Sequence, residues 1–186
     1  MTTVNPNHAE FKTQDAASYN PVAQSFDRFV TQLSAPVAAR LVALAGLAPD
    51  NHVLDVGAGT GIVALRAVAE MGPSGRVVGI DLSDGMLEVA RQNARGRGLA
   101  DRVEFRKMDA ESLDCKDGSF DAVVSLFALR HFPHPETALQ EMHRVLRPGG
   151  RLVLAVGSGA PWLSPVGLVH RLKLLPHVVR RFQGKQ

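Results

Sequence analysis

Five short apolar segments alternate with amphipathic segments of helical length along most of this chain. The apolar segments, each typical of a β-strand, are residues 52–56, 76–80, 102–107, 122–126 and 152–156. Strands separated by helices favour right-handed crossovers and a mostly parallel sheet. The pattern therefore predicts an α/β fold with a doubly wound sheet in the strand order 3-2-1-4-5. In such a sheet, ligands bind beyond the carboxyl ends of the strands, where the strand order reverses.

Differences in periodicity and charge divide the chain into three parts. Residues 1–33 show weak periodicity and are expected to form an N-terminal cap segment, flexible at first and then a short helix. Residues 34–157 hold the alternating pattern and are expected to form the core domain. Residues 158–186 combine leucines at helical spacing with basic residues, and they are expected to form a basic amphipathic tail.

Capping residues predict the ends of two helices in the core. Ser34 is placed as the N-cap of the first, which stops at Pro49. Pro135 is placed in the first turn of a later helix, which the sequence Pro148-Gly149-Gly150 ends. The predicted core residues of this later helix are Leu139, Met142 and Leu146.

Composition excludes several classes of protein. The chain has 186 residues, of which 45% are hydrophobic, and this is enough for a single sizeable core. Cys115 is the only cysteine, so no internal disulfide forms, and no histidines and cysteines show the spacing of zinc ligands. No metal site is expected. Because no apolar run resembles a secretory signal or a membrane span, we expect a soluble, cytoplasmic protein.

Charge is distributed unevenly along the chain. All 18 acidic residues but only 13 of the 21 basic residues lie in the first 141 positions. The basic C-terminal part either keeps a helix face solvated or contacts an anionic surface such as a membrane. Nucleic acid is not the expected partner, since no Asn/Asp-Pro-Pro-aromatic motif follows the fourth strand to receive a flipped base.

A glycine-rich loop follows the first predicted strand and reads Asp55-Val56-Gly57-Ala58-Gly59-Thr60-Gly61. Missing side chains let a ligand approach the backbone, although a tight turn alone also explains glycine. A dinucleotide fingerprint beginning at Gly57 would place its third glycine at position 62, which is Ile62. Asp55 adds a carboxylate that suits an ammonium group. The loop therefore favours an amino-acid nucleoside over a dinucleotide.

Acidic residues also end the second and third predicted strands. Asp81 is placed to accept hydrogen bonds from two ribose hydroxyls, and its alternative role is a helix N-cap, for which Ser83 is better placed. Asp109 is placed to accept a hydrogen bond from the exocyclic amine of a base, or else it is an exposed turn residue. Met86 either packs on the face of that base or belongs to the core.

Taken together, these motifs resemble the class I S-adenosylmethionine-dependent methyltransferases, and more narrowly the small-molecule branch related to the quinone-biosynthesis enzymes. The resemblance covers roughly residues 18–157 and also includes Ser125-Leu126-Phe127-Ala128-Leu129 and Leu146-Arg147-Pro148-Gly149-Gly150. It implies a Rossmann-like sheet, S-adenosylmethionine as the cofactor and a small-molecule acceptor.

The resemblance also implies a set of cofactor-binding residues. The methionine part would lie on the glycine loop, with its amino group near Asp55 and the backbone around Ser125. Asp81 would bind ribose, Met86 would flank adenine, and Asp109 with the Ala110 N–H would meet the adenine edge. Tyr19 matches an aromatic residue that closes over the cofactor in relatives. The complete set is Tyr19, Asp55, Gly57, Ala58, Gly59, Gly61, Asp81, Leu82, Met86, Asp109, Ala110 and Ser125.

His131, a few residues past the fourth strand, is the best-placed general base, and His134 is the next candidate. A base is needed only if the acceptor loses a proton, and a histidine at a strand end is otherwise structural. Methyl transfer itself depends largely on alignment and exclusion of water.

The family sheet usually has seven strands, whereas residues 158–186 contain no convincing sixth and seventh strands. Instead an apolar stripe is expected to pack on the body of the domain, as a sheet-covering or substrate-lid helix, or on a second copy of the chain; the alternative is that it lies on a membrane. The stripe consists of Leu168, Leu172, Leu175 and Val179. Two functions therefore remain open. The chain is either an active small-molecule methyltransferase, or a methyltransferase-like protein that binds the cofactor without turnover.

Overall fold

The computed structural model describes residues 6–157. Two N-terminal helices, α1 (Pro6–Tyr19) and α2 (Ala23–Ala45), are joined by a 3-10 turn (Asn20–Val22). A second 3-10 turn, Leu129–His131, follows the fourth strand. The remaining elements, in chain order, are β1 (His52–Val56), α3 (Ile62–Glu70), β2 (Arg76–Asp81), α4 (Asp84–Gly96), β3 (Val103–Lys107), β4 (Phe120–Leu126), α5 (Pro135–Val145) and β5 (Leu146–Ala155).

The five strands form one parallel sheet in the order β3-β2-β1-β4-β5, and this confirms the predicted topology. Strand β1 lies at the centre, and the order reverses between β1 and β4. The ends of these two strands therefore meet at the switch point, where an open α/β sheet binds its ligand. The prediction that further strands are lacking concerns residues 158–186, which lie outside the described part of the chain.

Each face of the sheet carries its own hydrophobic core. Because side chains alternate along a strand, Val53 packs with residues of α2, α3 and α4, whereas Leu54 and Val56 pack on the side of α5. Asp55 shares the face of Val53 and is buried. The sheet thus directs one carboxyl group into the core, next to α3.

The predicted start of the first helix is wrong, because Ser34 is not an N-cap. It lies inside α2, which runs without interruption from Ala23 to Ala45 and includes Pro36. A proline inside a helix removes one backbone donor and typically costs about 3 kcal/mol. Beyond Pro36 the helix buries a compensating apolar stripe, consisting of Ala38, Leu41, Val42 and Ala45.

The N-terminal segment is also more regular than predicted. Instead of a flexible start and one short helix, residues 6–33 form α1, the 3-10 turn and the first half of α2. The C-terminal end of α2 is set by Gly46, which adopts a left-handed conformation with φ of 57° and donates its N–H to the Ala43 carbonyl.

The boundary between α5 and β5 differs from the prediction as well. Helix α5 begins at Pro135 as predicted but ends at Val145, and Leu146 is already extended and paired with Phe120. Pro148-Gly149-Gly150 therefore lies within β5, where the register shifts so that Ala122 pairs with Arg151. Leu146 is a buried core residue as predicted, but it reaches the core from strand β5, where it pairs with Phe120.

No helix among residues 6–157 is long and apolar enough to cross a bilayer.

Candidate functional site

A cavity of about 180 Å³ lies at the carboxyl end of the sheet, under α1 and α2. The loops that follow β1, β2, β3 and β4 form its floor. Eleven of the thirteen sequence-predicted site residues line it, and Gly61 and Ser125 do not. The lining residues from that set are Tyr19, Asp55, Gly57, Ala58, Gly59, Asp81, Leu82, Met86, Asp109, Ala110 and His131.

The glycines of the loop serve different purposes. A Cβ on Gly57, which has φ of +71°, would lie 2.2 Å from the Cβ of Ala128, so this glycine allows the loop to pack on the segment after β4. A Cβ on Gly61 would lie 2.8 Å from the Phe105 ring, so Gly61 allows β3 to pack against the start of α3. A Cβ on Gly59 would meet no atom within 4 Å. Gly59 is therefore the position where the loop backbone is open to a ligand.

Asp55 carries an unsatisfied oxygen in the wall of the cavity. Its Oδ2 accepts the backbone N–H of Ala64 in α3 at 2.9 Å, whereas its Oδ1 has no hydrogen-bond partner among the described residues. Burial raises the pKa of Asp55 to about 7, against the opposing effect of the Ala64 N–H. A buried polar atom without a partner is rare in folded proteins. A cationic donor of the ligand would satisfy it.

Asp81 connects the glycine loop to the start of α4. Its Oδ2 accepts the Gly59 N–H at 2.9 Å, and its Oδ1 accepts the Ser83 N–H at 2.9 Å. Burial raises the pKa of Asp81, although the backbone N–H groups of Ser83 and Gly59 oppose the shift. The N-cap of α4 is Ser83, whose Oγ accepts the Met86 N–H, as the sequence indicates. Each carboxylate oxygen can accept a second hydrogen bond.

Lys12 of helix α1 binds Asp109, the acid that follows β3, and this lysine was not predicted from the sequence. Lys12 Nζ donates to Asp109 Oδ2 at 2.7 Å and to Glu111 Oε2 at 2.6 Å. Burial alone would lower the pKa of Lys12, but the two carboxylates outweigh this effect and raise it. Asp109 also accepts the Glu111 N–H through Oδ1. Asp109 thus lines the cavity with both oxygens already engaged by protein donors.

Met86 belongs both to the cavity wall and to a small core. It is buried with Ala23 and Val89, and Tyr19 and Phe26 pack against this cluster. The two alternatives from the sequence are therefore compatible, since α1 and α2 lie over the methionine.

His131 and His134 are placed differently, although they are three residues apart. The Nδ1 of His131 lies 3.0 Å from Asp15 Oδ2 of α1, and its ring meets Tyr19 edge-on at 5.7 Å. His134 instead pairs with His8 at 2.8 Å and is not among the residues that line this cavity. Asp15 was not found from the sequence, because α1 shows no clear amphipathic pattern.

Ser125 lies beneath the site. Its Oγ donates to the Val56 carbonyl at 2.7 Å and ties β4 to β1. Among residues 6–157, no group of three His, Cys, Asp or Glu side chains could hold a metal ion. An unsatisfied buried carboxylate oxygen, an open glycine and a second, partly buried acid fit a ligand that carries both an ammonium group and hydroxyl groups.

Comparisons with known proteins agree with this chemistry. Residues 54–154 match the family model described as a methyltransferase domain. The ubiquinone/menaquinone biosynthesis C-methyltransferase UbiE of Ectopseudomonas mendocina is 40% identical over 137 residues, which cover 73% of this chain and 54% of the relative. UbiE of Pseudomonas putida strain F1 is 42% identical over 113 residues, covering 61% of this chain and 44% of the relative. The chain thus spans about half the length of these curated relatives.

Solved structures show the same core. The cyclase SpnF is 34% identical with a TM-score of 0.64, and the match covers 69% of this chain and 47% of SpnF. The YcgJ protein of Bacillus subtilis is 33% identical with a TM-score of 0.61, and the match covers 70% of this chain and 53% of YcgJ. The chain belongs to the methyltransferase domain family, among the class I S-adenosylmethionine-dependent methyltransferases related to UbiE.

Proposed function

We propose that this protein transfers a methyl group from S-adenosylmethionine to a small-molecule acceptor by in-line displacement. The observation that carries the proposal is the unsatisfied Oδ1 of Asp55 in the cavity wall, beside the open backbone at Gly59. When bound, the cofactor supplies a methyl group on a positively charged sulfur. A carboxylate in a low-dielectric wall is a suitable partner for its ammonium group.

Each part of the cofactor is held by a different group of residues. Asp55 and the backbone from Gly57 to Gly59 hold the amino-acid part. Gly61 and Ser125 do not line the cavity and act through packing, since Gly61 lets β3 approach α3 and Ser125 ties β4 to β1. Asp81 holds the ribose. Leu82 and Met86 flank the adenine, and Asp109 and Ala110 meet its edge. Tyr19 covers the site from the N-terminal side.

We further propose that the acceptor is an electron-rich aromatic ring of the quinol type. The curated relatives are named for C-methylation in ubiquinone and menaquinone biosynthesis. The acceptor side of this cavity offers apolar and aromatic walls, including Leu126, Phe127 and Phe132. Such walls exclude water and align the ring, and alignment supplies much of the rate of a displacement reaction.

The cellular setting is part of the same proposal. A single cysteine supports a reducing cytoplasm. The basic and apolar composition of residues 158–186 supports a peripheral contact with a membrane, which would suit a lipophilic acceptor.

Calorimetric titration with S-adenosylhomocysteine tests the cofactor assignment without the need for an acceptor. We expect saturable binding, and no binding of NAD in the same buffer. Replacing Asp81 with Ala is expected to weaken binding by about 1.5–3 kcal/mol, the usual range for hydrogen bonds to a charged group. Saturable NAD binding with no response to S-adenosylhomocysteine would refute the assignment.

Turnover is a separate question, because SpnF shows that a protein named as a cyclase shares this core. Transfer of labelled methyl from S-adenosylmethionine to a panel of hydroquinones would establish the activity. Cofactor binding without transfer to any acceptor of the panel would instead favour the inactive cofactor-binding protein.

A further inference from the structure

The carboxylate of Asp15 in helix α1 contacts the imidazole of His131, which lines the cavity. Asp15 Oδ2 and His131 Nδ1 are 3.0 Å apart, although the two residues are separated by 116 positions in sequence. Both residues line the cavity, and both side chains are less than one third exposed. An acid on the covering helix and a histidine in the 3-10 turn after β4 thus meet only in the folded molecule.

The contact determines which nitrogen of His131 carries the proton. A carboxylate only accepts hydrogen bonds, so Nδ1 must be the donor. In the neutral ring, Nε2 then carries the lone pair that can accept a proton. The same arrangement, in which an acid on one imidazole nitrogen prepares the other to act as a base, operates in catalytic triads.

Neighbouring groups restrict the ring and the helix. Tyr19 meets the His131 ring edge-on with an interplanar angle of 80°, and Tyr19 itself packs edge-on against Phe26 at 5.8 Å. One turn before Asp15, Lys12 holds α1 to the Asp109–Glu111 segment. Burial raises the pKa of Asp81, and the charge interaction with His131 is the smallest of the effects that oppose this shift, so the histidine lies near the proposed ribose site.

We propose that Asp15 is a positioning residue that holds His131 in the Nδ1–H form, so that Nε2 acts as the general base toward a hydroxyl-bearing aromatic or enolic acceptor. This inference rests on the proposed methyl transfer and narrows its substrate class to acceptors that lose a proton. Helix α1 therefore completes the active site, in addition to covering it.

The proposed step balances in protons and electrons. Nε2 takes the hydroxyl proton, and the electron pair released into the ring forms the new bond to the methyl carbon as the bond from sulfur to that carbon breaks. Sulfur keeps the bonding pair and becomes neutral. The ring carbon then loses its hydrogen to water as a proton, and aromaticity returns with the electron pair on the ring oxygen. The protonated Nε2 gives its proton back to that oxygen, so the hydroxyl and the neutral histidine are both restored. The net products are the methylated acceptor, S-adenosylhomocysteine and one proton.

Nitrogen NMR of the full-length chain tests the role of Asp15 without cofactor or acceptor. In the wild type we expect the His131 shifts of the Nδ1–H tautomer. In Asp15→Ala we expect that preference to be lost, and in Asp15→Glu we expect it to be partly restored. The matched control is Glu10→Gln, since Glu10 is an acid on the same helix whose partner, Gln14, is also on α1. A predominantly Nε2–H tautomer in the wild type would overturn the proposal.

Kinetics with a soluble naphthohydroquinone as the probe acceptor provide the second readout. In Asp15→Ala and Asp15→Asn we expect kcat to fall by about 10- to 100-fold, part of the 10²–10⁴ typical of general-base catalysis. The affinity for S-adenosylhomocysteine should change less than about twofold. An unchanged kcat would refute the proposal, and so would a loss of kcat that follows only a loss of cofactor affinity.

The NMR and the kinetic measurements distinguish the role of Asp15 from the methyltransferase activity on which that role rests. A wild-type chain that binds no S-adenosylhomocysteine contradicts the proposed methyltransferase, whereas the tautomer of His131 still decides the role of Asp15. If the wild type transfers methyl groups and the tautomer does not depend on Asp15, the methyltransferase stands and the positioning role falls.

Discussion

Asp55 is a carboxyl group in the centre of the molecule with a pKa of about 7, caused first by burial. Its ordinary value in an unfolded chain is about 3.9. Because the folded pKa is the higher of the two, the contribution of Asp55 to stability is fully present below about pH 4 and is lost as the pH rises through about 7. The free protein is thus expected to be less stable at pH 8 than at pH 5, as far as this group is concerned.

Substitution of Asp55 by Asn tests this linkage. We expect the thermal midpoint of the ligand-free protein to fall less between pH 5 and pH 8 in the variant than in the wild type, because an amide cannot ionise. Thermal unfolding followed by circular dichroism at a series of pH values measures the difference. Asp50→Asn is the matched control, since Asp50 is an exposed acid just before β1. Parallel pH profiles for Asp55→Asn and the wild type would contradict the buried titration.

The same group predicts a proton linkage in cofactor binding. If the ammonium group of the ligand meets Asp55, binding at pH 6 must ionise the carboxyl group and release a proton. Calorimetry with S-adenosylhomocysteine in two buffers of different ionisation enthalpy measures that proton, which should be absent in Asp55→Asn. The variant should also bind more weakly by about 1.5–3 kcal/mol. Equal proton release by both proteins would remove Asp55 from the amino-group site.

Helix α1 is attached to the body of the protein mainly through polar groups. Besides Lys12 and Asp15, the turn after the helix contributes Asn20, whose Oδ1 accepts from Ser83 Oγ and from the Gly85 N–H. Elements held by few apolar contacts open at low free-energy cost. The cavity beneath α1, at about 180 Å³, is smaller than the roughly 300–1,000 Å³ typical of ligand sites. We therefore expect α1 to move when the cofactor binds.

Lys12 is expected to control that movement. In Lys12→Met, both the association and the dissociation rate constants of S-adenosylhomocysteine should rise several-fold, because a partly buried ion pair worth about 1 kcal/mol no longer holds α1 down. Surface plasmon resonance measures both rate constants. Lys107→Met is the control, because Lys107 forms a similar pair with Asp84 that is exposed to solvent. If Lys12→Met leaves both rate constants at their wild-type values, the ion pair does not limit opening.

Among residues 6–157, those that line the cavity all lie at or before Phe132, and β5 forms one edge of the sheet that these residues build. Val156, directly after β5, is 49% exposed. The stripe predicted at Leu168, Leu172, Leu175 and Val179 lies outside the described residues and stays a prediction. Each such side chain would stabilise the protein by about 1.5–3 kcal/mol if it became fully buried.

Truncation of the chain after Gly159 tests whether residues 160–186 contribute to stability without contributing to cofactor binding. We expect a lower thermal midpoint or a lower solubility, while the affinity for S-adenosylhomocysteine remains within about twofold of the full chain. Scanning calorimetry and titration of both forms measure these quantities. A truncated chain as stable and soluble as the full one would mean that residues 158–186 have another purpose, such as contact with a membrane or a partner.

The order of the strands and the acids at their ends could be predicted from the sequence, because both depend on local patterns. Alternation of strand and helix restricts the connections, and Asp55, Asp81 and Asp109 each stand at the carboxyl end of a strand in a parallel sheet. These regularities repeat over a few residues and can be recognised without knowledge of the fold.

The tertiary structure alone decided what covers the site. Lys12 meets Asp109 across 97 positions and Asp15 meets His131 across 116, and no periodicity in α1 marks either residue. Likewise, α2 continues through Pro36 because its later residues are buried against the sheet, which outweighs the local preference to stop. Contacts between distant segments depend on the free energy of packing the whole chain. That free energy cannot be inferred from a local pattern of residues.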